Sequence, residues 1–220
     1  MAEAGAAIVP RATYRLQFGG GFGFAAAAAL APYLARLGVS HVYASPYLAA
    51  RPGSAHGYDI IDHARVNPDL GGPDAFREMV ATFRRHGLGQ VLDIVPNHMG
   101  VGGADNPWWL DVLEWGRDSD YAGWFDIDWV PDRRYLHGQL LVPLLGDHYG
   151  VVLESGELVL RFDAGAGSFA VWAYGTHKLP VCPLHYGRIL GDEHPELEAV
   201  GDAFSGLADW HPHAARRARD

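Results

Sequence analysis

Cysteine is nearly absent. Cys182 is the only thiol in 220 residues, so no internal disulfide forms and the fold is expected to suit a reducing compartment. No neighbouring feature marks Cys182 as a nucleophile, and a lone cysteine commonly behaves as a small buried hydrophobe. Basic charge is also short. Lys and Arg number 17 against 26 Asp and Glu, a net charge of −9. That balance excludes a general binder of nucleic acid or anionic membrane, which needs a basic surface. Arg216, Arg217 and Arg219 are a local exception and read as a solvated helix face. Long apolar runs are missing too. The N-terminal MAEAGAAIVPR lacks the apolar core of a secretory leader, and Ala25 to Ala31 is far too short to span a bilayer. A cytoplasmic protein without membrane attachment is expected. Despite 12 histidines, no helical His-x-x-x-His pair or cysteine cluster has zinc spacing. The glycines from Gly19 to Gly23 lack both Gly-x-Gly-x-x-Gly spacing and a Lys-Ser/Thr end, which argues against a nucleotide loop. No metal or other cofactor is expected.

What is present is an α/β rhythm. Ala12 to Phe18 alternates apolar and polar residues as a strand does. From Phe24 to Leu37 the composition turns to Ala and Leu, with Leu30, Leu34 and Leu37 on one helical face and Gly38 placed to stop it. Pro32 is expected to kink or shorten that helix. Val39 to Ala44 is a second strand candidate. Ser45 to Gly72, rich in Pro, Gly, Ser and Asp, reads as a long irregular segment, and loops of such length are usually functional or disordered. Pro73 and Asp74 suit a helix start, Phe76, Met79, Val80 and Phe83 its buried stripe, and Gly87 its end. Gln90 to Val95 is a third strand. Strands alternating with helices imply a parallel sheet.

After Asn97 the rhythm is lost. Trp108, Trp109, Trp115, Trp124 and Trp129 crowd together, most expected in a core and one or two as sugar platforms. Val151 to Phe162 reads as a hairpin turning at Ser155-Gly156, Ser168 to Tyr174 as a further strand, and Pro195 to Ala208 as a helix. No repeat or low-complexity tract stands out.

The chemistry-bearing stretch is QVLDIVPNHM, Gln90 to Met99. Asp93, Asn97 and His98 cluster where the strand should stop, and in an α/β barrel that end faces the catalytic mouth. His56, Tyr58 and Asp59 (HGYD) lie in the loop after the second strand. Each has a plainer reading. Tyr58 is also suited to packing on a rim, His98 to a satisfied core position, and Asp93 to a purely structural hydrogen bond.

DIVPNHM resembles the first conserved region of the α-amylase superfamily of retaining glycoside hydrolases and transglycosidases, and HGYD its sugar-stacking tyrosine segment. PRATYRLQF, LGVSHVYASPYLAARPGSAHGYDIIDHARVNPDLGG, the Asn106 to Gly116 pattern and YAGWFDIDW resemble the maltooligosyl trehalose synthase family within it. The similarity covers most of residues 10 to 190.

The resemblance implies an α/β fold: the first three β-α units of a TIM-type (β/α)8 barrel over residues 1–99, a small, mostly antiparallel β insert over 100–190, and a helical return segment over 191–220. It implies rearrangement of the reducing-end α-1,4 bond of a maltooligosaccharide to an α,α-1,1 bond. By resemblance Tyr58 stacks on the sugar at the cleaved bond, His98 hydrogen-bonds a hydroxyl, Asp93 organises the strand end and Asn97 supports the loop, with His56 and Asp59 as weaker candidates. In the family the nucleophile and general acid lie on barrel strands four and five, with a third carboxylate near strand seven. Those segments are not among these 220 residues, and Asp126, Asp128 and Asp163 sit in the insert region. The barrel is expected to be incomplete, because three strands cannot close one and a full barrel takes about 250 residues. The isolated chain is expected to be catalytically silent, and a separate chain carrying the missing part is a candidate partner. Rival readings are a non-catalytic or vestigial α-glucan-binding protein and a piece of another α-glucan hydrolase or transglycosidase.

Overall fold

The computed structural model describes residues 9–191 and 194–206. The chain falls into two compact units, one running through Val101 and the other starting at Gly102.

In the first unit the α/β alternation is realised. It comprises β1 (Thr13–Leu16), α1 (Phe24–Leu37), β2 (His41–Ala44), β3 (Leu48–Ala50), β4 (Ile60–Val66), α2 (Gly72–Arg85) and β5 (Gly89–Leu92). β1, β2 and β5 form a parallel sheet in that order. Successive side chains on a strand point to opposite faces. One face sends Leu16, Val42 and Ala44 into a core with Phe24, Ala27, Ala31 and Leu34 of α1 and Met79 and Phe83 of α2. The other face carries Arg15 and Tyr43, paired directly across the sheet.

Two expectations for α1 need correcting. Pro32 does not shorten the helix, which runs from Phe24 to Leu37 with Pro32 inside it. Pro32 lies on the exposed side, and complete burial of Ala31 and Leu34 around it outweighs the lost backbone bond. The buried stripe is Phe24, Ala27, Ala31 and Leu34, while Leu37 stays half exposed. Alanines take the inner positions because α1 lies close against both the sheet and α2. Gly38, at φ 87°, stops the helix and donates its N–H to the Ala35 carbonyl.

Residues 45–72 are not wholly irregular. β3 and β4 pair antiparallel, with register shifts, and a 3₁₀ turn at Pro68–Leu70 follows. Ile60 and Ile61 are both buried, so the alternation that announces a strand is missing, and the partner β3 is only three residues long.

The second unit contains α3 (Pro107–Trp115), α4 (Tyr149–Glu154), β6 (Leu158–Asp163), β7 (Ser168–Ala173), β8 (His177–Pro180), α5 (Tyr186–Leu190) and α6 (Pro195–Gly206). The Asn106 side chain caps α3 by accepting from the N–H groups of Trp108 and Trp109. β6, β7 and β8 form an antiparallel meander. The expected hairpin turn at Ser155-Gly156 is instead the end of α4, where Gly156, at φ 75°, donates to the Leu153 carbonyl. The β6–β7 turn comes later, built on Asp163 Oδ1, which accepts from Gly165 and Ala166. A Ser-Gly pair signals a hairpin turn and a helix stop equally well. Residues 207–208 of the expected last helix, the 216–219 arginine cluster and the first eight residues lie outside the described residues. Among the described residues no helix is long and apolar enough to cross a membrane.

Candidate functional site

The C-terminal ends of β1, β2 and β5 converge on one carboxylate. Arg15 pairs with Tyr43, Tyr43 pairs with Val91, and Asp93 lies two residues beyond Val91, so strand alternation puts Arg15, Tyr43 and Asp93 on one face. Asp93 stays in register because its N–H donates to the Ala44 carbonyl. Its Oδ2 accepts from the Tyr58 hydroxyl at 2.6 Å, from Arg15 Nη1 at 3.2 Å and from the Tyr43 hydroxyl at 3.3 Å. Arg15 Nη2 also donates to the Tyr58 hydroxyl at 2.7 Å, and the guanidinium lies 4.5 Å from the Tyr43 ring centre. Tyr58 is thereby gripped at its hydroxyl by two residues from two strands.

The loop that delivers Tyr58 is braced locally. Gln17 Nε2 donates to the His56 carbonyl, and the Tyr58 N–H donates to His56 Nδ1 at 3.0 Å. Ser54 donates its hydroxyl to Asp59 Oδ1 and accepts the Gly57 N–H. Gly57 sits at φ 77°, and a Cβ there would lie 2.8 Å from the Pro46 carbonyl oxygen, so the turn requires glycine.

These contacts set the protonation states. The Tyr58 hydroxyl, then Arg15 and Tyr43, hold the Asp93 carboxyl below the usual carboxylate range against the opposing effect of partial burial. The bond to Asp93 pushes the Tyr58 phenol up despite the nearby guanidinium. At neutral pH Asp93 is therefore an anion and Tyr58 a neutral donor. A carboxylate held this way is unsuited to act as a general acid, which needs a raised pKa.

Of the residues singled out in the sequence, Tyr58 and Asp93 meet directly, and His56 and Asp59 stand beside them, with His56 Nδ1 3.9 Å from Asp59 Oδ1. Asn97 and His98 lie beyond β5, are exposed and take no part in the network. Exposure rules out a buried core role for His98. Arg15, Gln17 and Tyr43 were missed, although the alternation of ATYRLQF already placed Arg15 and Gln17 opposite Leu16 and Phe18. No group of three or more His, Cys, Asp or Glu suited to a metal ion occurs among the described residues. A cleft of about 960 Å³ lies in the second unit, walled mainly by aliphatic residues such as Leu140, Val142 and Leu160. None of its lining residues belongs to this polar constellation, and the chemistry favours the Asp93 network as the candidate site.

Comparisons with known proteins give the chain's family. A putative maltooligosyl trehalose synthase of Mycobacterium tuberculosis is 45% identical over 196 residues, covering 83% of this chain and 24% of that protein. The structure of maltooligosyltrehalose synthase from Arthrobacter ramosus matches with a TM-score of 0.69 at 39% identity, over 86% of this chain and 23% of that one. A hypothetical maltooligosyl trehalose synthase from Sulfolobus tokodaii matches with a TM-score of 0.67 at 32% identity, over 86% of this chain and 24% of that one. The chain thus spans about a quarter of the length of these relatives. The Alpha-amylase family, described as "Alpha amylase, catalytic domain", matches residues 29–143, and the chain belongs to that family.

Proposed function

We propose that this chain contributes the first strands and the sugar-binding half-site of a maltooligosyl trehalose synthase. The observation that carries this is the fixed Tyr58 ring, tied by its hydroxyl to Asp93 and Arg15 at the C-terminal ends of three parallel strands. That is where an α/β barrel assembles its site. Tyr58 stacks on the glucose ring at the scissile bond. Asp93 holds the phenol in place, His98 and Asn97 reach sugar hydroxyls from the exposed loop, and His56 and Asp59 shape the loop beneath. In this reading residues 1–99 open a (β/α)8 barrel, 100–190 are an inserted subdomain and 191–220 lead back to the barrel. The partner is a cytoplasmic maltooligosaccharide.

The reaction breaks the reducing-end α-1,4 bond. A carboxylate nucleophile takes the anomeric carbon as a glycosyl ester, while a general acid protonates the leaving O4. The released glucose turns, its anomeric hydroxyl gives its proton to the same group acting as base, and its oxygen forms the α,α-1,1 bond as the ester bond breaks and the carboxylate leaves. Water must stay out, or the outcome is hydrolysis. Asp93 is unsuited to the acid role because it is held anionic, and as a nucleophile it is weakened by the three donors on its Oδ2. The nucleophile and acid therefore come from segments outside these residues, as a continuation or a separate chain. The same tie of Asp93 Oδ2 to Tyr58, Arg15 and Tyr43, a holding role and not a reacting one, favours a second reading, an α-glucan-binding protein without catalysis.

The test is calorimetric titration of the chain with maltoheptaose, beside a reducing-end assay on maltopentaose. Binding that falls at least tenfold in Tyr58→Ala, with no change in reducing ends, is expected. Saccharide binding indifferent to Tyr58 overturns the site. Supplying a polypeptide that carries the missing carboxylates separates the readings: loss of reducing ends without glucose release supports the synthase, and no turnover supports the binding protein.

A further inference from the structure

We infer that the second unit carries its own α-glucan-binding site, formed by the Trp108–Tyr121–Trp124 cluster and the polar groove beside it on α3. This rests on the α-glucan reading of the first unit but uses none of its residues. Trp108 stacks on Tyr121 with ring centres 5.6 Å apart and planes 12° from parallel, and Trp124 meets Trp108 edge-on at 4.8 Å. Trp124 is 65% exposed. An indole left in water costs hydrophobic stabilisation, yet this one is held firmly. Trp124 ends a 3₁₀ turn at Ala122–Trp124, its backbone N–H donates to the Tyr121 carbonyl, and its ring meets the Trp108 ring edge-on. The turn is in turn tied to α3, because Ser119 donates its hydroxyl to Asp111 Oδ2 and accepts the Tyr121 N–H. The result is a rigid, solvent-facing aromatic surface. Its neighbours differ: Trp115 is buried, and Trp109 packs on Phe125.

The groove supplies the polar half. It holds about 480 Å³ and is lined by Asp111, Glu114, Ser168 and Lys178, with Pro107 and Leu110 from α3. Asp111 belongs to both halves, lining the groove and bonding Ser119. Trp108 and Asp111, three residues apart on one helix, are surface neighbours. This pairing selects the ligand class. An anion would meet two carboxylates, and a purely apolar ligand would strip water from Lys178 and both acids. A neutral polyol with one C–H face fits both halves: the pyranose face lies on the aromatic rings, and its hydroxyls reach acceptors on Asp111 and Glu114 and a donor on Lys178. A chain of α-linked glucose units fulfils that description and has the reach to cover platform and groove together.

The test titrates the 220-residue chain with maltoheptaose, following heat and tryptophan fluorescence, with an α-1,6-linked heptaose as linkage control. Trp124→Ala probes the platform and Lys178→Ala the groove, both without disturbing buried packing; Tyr58→Ala removes the first site. Two classes of binding are expected. Trp124→Ala weakens one by about tenfold, the loss of one aromatic contact, and also removes the fluorescence change. Lys178→Ala weakens the same class, and Tyr58→Ala leaves it intact. Binding unchanged in both Trp124→Ala and Lys178→Ala overturns this site while the Tyr58 site stands. Wild-type protein that binds no maltoheptaose overturns both.

Discussion

Tyr58 and Asp93, 35 positions apart in sequence, are joined by a 2.6 Å hydrogen bond from phenol to carboxylate. Tyr58 comes from the loop before β4 and Asp93 from the end of β5, so the bond closes the loop onto the sheet. Arg15 completes the triangle by donating to both. The proposed stacking of a sugar on Tyr58 needs a ring that is held still, and this triangle fixes it before any ligand arrives.

Tyr58→Phe keeps the ring and removes the hydroxyl. Asp93 then loses the donor that contributes most to lowering its pKa, and its carboxyl titration, followed by NMR, moves up towards the usual range. Glucan affinity falls less than in Tyr58→Ala, because the stacking face remains. A carboxyl titration identical to wild type would show that the bond is not formed in solution.

The pH window follows from the two opposed shifts. The depressed Asp93 pKa means that its contribution to stability is complete above the ordinary aspartate value of about 3.9 and disappears as pH falls through the lower folded value. The raised Tyr58 pKa means that its contribution is complete below about 10 and disappears as pH rises through the higher folded value. The difference in Tm between wild type and Tyr58→Phe should therefore be flat from about pH 4 to 10. Outside that window it should shrink on both sides. A difference that already collapses near pH 6 would refute the assignment.

Gly89→Ala tests the other end of the sheet. A Cβ there would lie 2.3 Å from Nε2 of the buried His41 ring. The buried His41 ring must shift to admit the methyl group, so a loss of about 1–3 kcal/mol is expected, the usual cost of overpacking. Chemical denaturation measures it. The pairing of Gly89 with His41 also predicts that His41→Ala relieves much of the loss in the double variant.

Asn106→Ala removes the cap of α3. Two helix N–H groups then lose their acceptor, and a loss of about 1 kcal/mol is expected. Because the Trp108–Tyr121–Trp124 cluster stands on α3, tryptophan fluorescence should red-shift as the first turn frays. Unchanged stability and emission would mean that the cap is dispensable.

Phe83→Ala opens the core of the first unit, where the ring is fully buried between α2 and the sheet. About 3–5 kcal/mol of stability is expected to be lost. Measured as a denaturation midpoint, a cost under 1 kcal/mol would contradict the packing.

The sequence by itself determined whatever rests on local chemistry. Helix ends were legible because Gly38 and Pro73 act on their own backbone. The parallel strand–helix alternation was legible because periodicity belongs to each segment separately. Asp93 and Tyr58 stood out as polar or aromatic residues in places where a strand stops or a loop turns.

Tertiary structure decided the rest. Arg15 and Tyr43 join Asp93 only because the register of β1, β2 and β5 places them on one face, and register is set by long-range pairing that no single segment encodes. Leu37 lost its expected inner place to Ala27 and Ala31 because helix spacing against the sheet, not hydrophobicity alone, selects the buried stripe. Ser155-Gly156 ended a helix rather than turning a hairpin, since the same left-handed glycine serves both and the β7 partner of β6 settles the choice. Side-chain type fixed which residues were candidates for a sugar site, and the packing of strands and loop fixed which of them stand together.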